Sequence, residues 1–185
     1  MAIANYVKTC AKNAAGASKI FIAEAGDASD MTVTSGEISA ITMTTGTTFH
    51  EIDCNADSIR RVEEENLSNN ALFINHKVEF VIQKPSTTLN TLRASLHDAL
   101  VCGAIVLVLD NNGEVWCVGW NDTTKNNNPL TMVEGNVDSG NSPEEQEMQS
   151  WSPVLSGKSA YVDLPLDSTL TATVLDGSAT FITWN

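Results

Sequence analysis

Residues 103–120 read Gly-Ala-Ile-Val-Leu-Val-Leu-Asp-Asn-Asn-Gly-Glu-Val-Trp-Cys-Val-Gly-Trp, and this stretch sets the fold class. Residues 105–109 are apolar without a break, and residues 115–120 nearly so. A strand with no polar face is one covered on both faces. Between the two runs, Asp110, Asn111, Asn112 and Gly113 make a tight turn, because Asn and Gly tolerate positive φ. The spacing predicts a β-hairpin in the interior of the molecule.

Working upstream, Leu89, Leu92, Leu96, Ala99 and Leu100 recur at helical spacing. Ser86, Thr87 and Thr88 supply N-caps after Pro85, and Gly103 ends the run. A helix over about 88–100 should lay its leucine stripe on a sheet. Residues 71–83 alternate: Leu72, Ile74, Val78, Phe80 and Ile82 share one face, and Asn75, Lys77, Glu79 and Gln83 the other. That is the period of a long half-buried strand. His76 falls on its apolar face, where a satisfied core or interface histidine is expected.

Further out, 19–23 reads as a strand, 26–30 as a polar turn, and 31–51 as short strands divided by Gly36 and Gly46. Residues 60–65, Arg-Arg-Val-Glu-Glu-Glu, lie on a long strand next to 71–83. Residues 130–137 form another strand, and 161–164 are extended. In 170–175, Leu170, Ala172 and Val174 alternate with threonines. Asp176-Gly177 and an apolar run over 179–184 complete the pattern of a last hairpin. The expectation is a mainly β protein: an antiparallel β-sandwich or barrel with one flanking α-helix. One domain spans 1–185, with an N-terminal arm over about 1–18 and extended loops over about 121–129 and 138–152.

Chemistry is sparse. Lys and Arg number 10 against 23 Asp and Glu, a net charge of -13. Such a balance argues against gripping nucleic acid or an anionic membrane. No apolar run is long enough to span a bilayer and no signal peptide opens the chain, so synthesis in a cytoplasm is expected. Cys10, Cys54, Cys102 and Cys117 have no metal-binding spacing. They read as reduced thiols, with Cys102 and Cys117 buried. Asp110 to Glu114 is a turn and not a calcium loop, since an apolar strand follows at once. His97 and Asp98 sit off the leucine stripe near Ser95, without a nucleophile elbow. The acidic clusters 63–65 and 144–147 read as solvated faces. No enzyme activity, cofactor or metal is expected.

Residues 105–119, with the helix before them, resemble a segment of bacteriophage tail-tube-like proteins. So do the later regions 130–135, 138–148 and 154–158, the last of which, Val-Leu-Ser-Gly-Lys, is similar to a turn of that family. Residues 10–17 followed by 20–23 are similar to its openings. The resemblance implies a structural virion protein whose subunits form stacked hexameric rings. Each subunit would contribute strands to one ring-shaped β-barrel, with the helix outside and DNA passing through without specific binding. Partners would be copies of itself and other tail or neck proteins, in the virion and not at a membrane. It implies lumen or ring-contact roles for Arg60, Arg61, Glu63, Glu64 and Glu65. Because strand neighbours face opposite sides, Glu63 and Glu65 share one face and Glu64 the other. The excess of acid suggests an acidic passage. Two alternatives are a neck or tail-barrel ring protein of a short-tailed phage, and a capsid decoration or carbohydrate-binding β-sandwich using Trp116, Trp120, Trp151 and Trp184 as sugar platforms.

Overall fold

The computed structural model describes residues 14–55, 57–68, 71–83, 87–120, 128–138 and 150–184. In chain order the strands before the long helix are β1 (Ala17–Glu24), β2 (Ala28–Thr34), β3 (Glu37–Met43), β4 (Phe49–Ile52), β5 (Arg60–Ser68), β6 (Ala71–Glu79) and β7 (Ile82–Gln83). Helix α1 (Thr87–Cys102) follows, then β8 (Ala104–Asp110), β9 (Val115–Val118), β10 (Thr131–Asp138), β11 (Ser150–Ser159), β12 (Leu164–Pro165), α2 (Ser168–Leu175) and β13 (Ile182–Thr183). The chain is mainly β, with several sheets and two helices, and no sheet closes into a barrel among the described residues.

The expected hairpin β8–β9 lies inside the central sheet, ordered β12-β9-β8-β1-β4-β13. All its pairings are antiparallel except β13 with β4. Every residue from Ala104 to Leu109 is buried, as the unbroken apolar run requires. Alternate side chains serve two cores. Ile20, Ile22, Val106 and Val108 face one core, shared with Val78, Phe80, Trp151 and Leu155 of the outer sheet and with Leu89, Leu96 and Leu100 of α1. Phe21, Ala23, Ile105 and Leu107 face the other, under the β2–β3 hairpin, α2 and the segment around Phe181. Burying each such side chain stabilises the fold by roughly 1.5–3 kcal/mol.

The outer sheet runs β10-β11-β6-β5, with β7 on the end of β11. Bridges Ala17–Ile59 and Ala104–Leu130 stitch it to the central sheet. Helix α1 packs across β10 and β1, and Arg93 lays its guanidinium over Trp151 at 5.5 Å. The leucine stripe is therefore placed as expected: Leu89, Leu96 and Leu100 are buried and Leu92 is half-buried. The Asp-Asn-Asn-Gly turn also forms. Asp110 Oδ1 accepts from the Asn112 and Glu114 amides at 2.8 and 2.9 Å, and Gly113 takes φ +87°.

Several expectations need correction. The last hairpin does not exist: residues 168–175 are α2. Asp167 caps it, its Oδ1 accepting from the Leu170 amide at 2.8 Å. A good cap and the i,i+4 pair Leu170–Val174 outweigh the β preference of the threonines. The long strand 71–83 breaks at Phe80–Val81, opposite Pro153, which has no N–H to give the ladder. Leu72 lies exposed beyond the core. Residues 154–158 are not a turn but continuous strand, with Gly157 where a Cβ would meet Leu130 Cδ2 and the Pro129 carbonyl at 3.0 Å. The turn at 26–30 is shorter, since β2 begins at Ala28. Residues 14–16 are not a free arm: Asn111 and Asn112 bond the backbone of Ala14, Ala15 and Gly16, and 17–18 already belong to β1. Of the two expected loops, 138 and 150–152 are strand, and 121–127 and 139–149 lie outside the described residues, as do 1–13 and Cys10. Cys102 is exposed at the helix end, whereas Cys117 is buried; with Cys54 they are free thiols.

Candidate functional site at the edge of the outer sheet

Among the described residues, strand β5 pairs with β6 alone, from Arg60 opposite Glu79 to Ser68 opposite Ala71. Residues directly opposite one another share a face. The inward residues of β6 are Ile74, His76 and Val78. Arg61, Glu63 and Glu65 therefore face inward, and Arg60, Val62 and Glu64 outward. The three glutamates split as the alternation predicts. The five residues divide between two faces: Arg61 and Glu63 enter the structure, Glu65 is exposed on the same face, and Arg60 and Glu64 lie on the other side.

Arg61 and Glu63 meet two buried partners. His76 is 3% exposed and Asp163 5%. Arg61 Nη1 lies 2.8 Å from Asp163 Oδ2 and 3.1 Å from Glu63 Oε2. The Asp163 amide donates to Glu63 Oε1 at 2.7 Å. His76 Nδ1 approaches Asp163 Oδ1 at 2.8 Å and Glu63 Oε1 at 3.8 Å. Neither ring nitrogen makes a well-aligned hydrogen bond, but the 2.8 Å approach to Asp163 is within hydrogen-bond distance, and the Tyr161 backbone also acts on the ring. The Trp116 ring, on β9, lies 4.2 Å from the Arg61 guanidinium. Asp163 immediately precedes β12, the edge strand of the central sheet. The cluster thus ties the edge of one sheet to the edge of the other.

The electrostatics follow from this geometry. Burial lowers the pKa of His76, but the Asp163 carboxylate, then Glu63 and the backbone of Tyr161, outweigh it, and the net shift is upward from 6.5. Burial, with Asp163 adding to it, also pushes the Cys117 thiol up. Cys54 is driven up to about 12 by burial and then by Asp53. Both thiols stay neutral and unreactive.

Glu63, His76 and Asp163 bring their polar atoms within 4.8 Å of one another, the spacing of a three-ligand cation site. Arg61 already engages both carboxylates, however, and its positive charge repels a second cation. The residues fit an ion-pair network better than a metal centre. A groove of about 400 Å³ between α1 and the central sheet is lined by His50, Glu51 and Ser95 among others. Two of its polar groups are engaged elsewhere: Ser95 Oγ donates to the Leu92 carbonyl at 2.8 Å and Glu51 pairs with Lys19 at 2.8 Å. His97 is exposed.

The outward face of the outer sheet is mostly polar and of mixed charge. By register it carries Arg60, Lys77 and Lys158 against Glu64, Glu79, Glu134 and Asp138, with Asn66, Asn75, Asn136, Ser152 and Ser156, and the apolar Val62, Phe73 and Val154, between them. Arg60 and Lys77 both pair with Glu79. This face is close to neutral, not the acidic surface suggested by the net charge. The tryptophans offer little free ring. Trp120 and Trp151 are buried, Arg61 covers Trp116, and Lys19 lies 5.2 Å over Trp184.

Sequence reasoning missed Asp163 as His76's partner. The signal was present: an acid flanked by Val162 and Leu164 and a histidine on an apolar strand face each need a buried partner. Among the described residues, no helix is long and apolar enough to cross a membrane. No family model, curated protein or solved structure matches the chain.

Proposed function

We propose that this chain is a structural protein that assembles with copies of itself into stacked rings, as the subunit of a phage tail tube. The observation that carries this reading is the outer sheet: four strands between two long edges, β5 and β10, that pair with no further strand among the described residues. An open edge presents unpaired amides and carbonyls that invite another strand. Strand β5 of one copy set beside β10 of the next would continue the sheet, and a closed ring would remove every such edge.

The outward face would then line the passage. It is mostly polar, nearly neutral, and its Arg60, Lys77 and Lys158 are interspersed with four acids. Duplex DNA would meet no set of phosphate contacts there and would slide past. No acidic lumen is needed. A neck or tail-barrel ring of a short-tailed phage would use the same edges. A carbohydrate-binding role has weaker support, because the tryptophan rings are buried or covered by cations. Native mass spectrometry at micromolar concentration and electron microscopy of the purified chain test the proposal. Long tubes are expected; discrete rings would favour the neck or tail-barrel reading. A chain that stays monomeric in solution and in a particle would overturn both.

A further inference from the structure

We propose that Arg61, Glu63, His76 and Asp163 form a proton-operated clasp, in which protonated His76 fastens segment 160–163, and with it the edge of the central sheet, to edge strand β5, and loss of that proton loosens the attachment. The proposal concerns the single chain, whether or not copies assemble.

Two carboxylates face one guanidinium, so the cluster carries one negative charge in excess when His76 is neutral. Asp163 is almost wholly buried, where an unbalanced charge is costly. A proton on His76 restores the balance at the carboxylate oxygens that Arg61 does not hold, Asp163 Oδ1 and Glu63 Oε1. The other elements around the imidazole supply no substitute. Opposite it on β11 stands Gly157. From β9 come Trp116, stacked on Arg61, and the neutral thiol of Cys117. Further along β5 on the same face, Glu65 adds only more negative charge.

Mechanical linkage comes next. The Asp163 amide donates to Glu63, so the segment is held by its backbone as well as its side chain. Chain continuity carries that hold into β12, which pairs with β9 through Leu164 and Pro165. When the imidazole is neutral, Asp163 Oδ1 faces a ring nitrogen without an aligned hydrogen bond, and the excess charge favours admitting water at this edge. Because the histidine pKa is raised on folding, the stabilisation is full below pH 6.5 and is lost as the pH rises through the folded-state value.

Hydrogen exchange on the full chain between about pH 5.5 and about pH 8.5 tests this, with rates corrected for intrinsic exchange. Protection of the Asp163 amide should hold steady up to pH 6.5 and then fall by up to about tenfold per pH unit. The Ala104 amide, bonded to the Leu130 carbonyl in the interior, should not follow it. In His76→Gln, Asp163 should be weakly protected at every pH. Asp163→Asn removes the excess charge, keeps the amide, and should abolish the pH dependence even if His76→Gln folds poorly. Flat protection in the unaltered chain would overturn the clasp. So would an unchanged fall in Asp163→Asn. Stoichiometric Zn²⁺ uptake that disappears in His76→Gln would overturn it as well, by making the site a cation's.

Discussion

Gly103 illustrates how much one residue can decide. It ends α1 with φ +101°, and a Cβ there would lie 2.4 Å from Pro129 Cβ. Positive φ costs an ordinary residue about 1–2 kcal/mol, and crowding at a packed site about 1–3 kcal/mol. Gly103→Ala should therefore destabilise the chain by about 2–4 kcal/mol in urea unfolding. A loss near zero would mean that 128–130 can move away from the helix end without penalty. The sequence made Gly103 legible as a helix stop but not as a contact, since Pro129 is distant along the chain. The same limit hid the clasp. His76 could be placed on an apolar face by alternation, but its neutralising acid comes 87 residues later, from a segment with no period of its own.

At the scale of elements, periodicity was a good guide where length gave it enough turns. Helix α1 has four, and Leu89, Leu96 and Leu100 of its stripe are buried as read, with Leu92 half-buried. Leu96, 7% exposed in the core beneath the helix, should cost about 2–5 kcal/mol when truncated to Ala. A change within experimental error would show that the helix re-seats without that side chain. In α2 the eight residues hold barely two turns, and Leu170, Ala172 and Val174 satisfy a strand's period as well as Leu170 and Val174 satisfy a helix's. What decides between them is Asp167, a cap outside the periodic run. Asp167→Ala should cost about 0.5–2 kcal/mol, read as a lower thermal midpoint. If stability is unchanged, packing of Val174 and not the cap selects the helix. The long strand failed as one unit for a similarly local reason, Pro153 on its neighbour.

At the scale of the whole molecule, the division of labour among the sheets bears on assembly. The central sheet is covered on both faces and supplies rigidity, whereas the outer sheet is covered on one and, among the described residues, leaves β5 and β10 open. The clasp braces β5 from within, leaving its outer edge free. On β10, Val133 is 56% exposed at the register shift between Met132 and Glu134. An exposed apolar side chain on an open edge has little to do for the isolated chain, and a lysine at an edge is a common means of blocking strand addition. Val133→Lys should thus leave chain stability within about 0.5 kcal/mol while suppressing growth of assemblies seen by light scattering and microscopy. Leu175→Lys, on α2 across the central sheet and 57% exposed, is the control: it alters surface charge and apolar area similarly but lies off the edge. Assembly lost only in Val133→Lys would identify β10 as a joining edge. Loss in both would point to net charge instead. Loss in neither, with assembly intact, would move the contact away from β10 and leave the ring to be built through other surfaces.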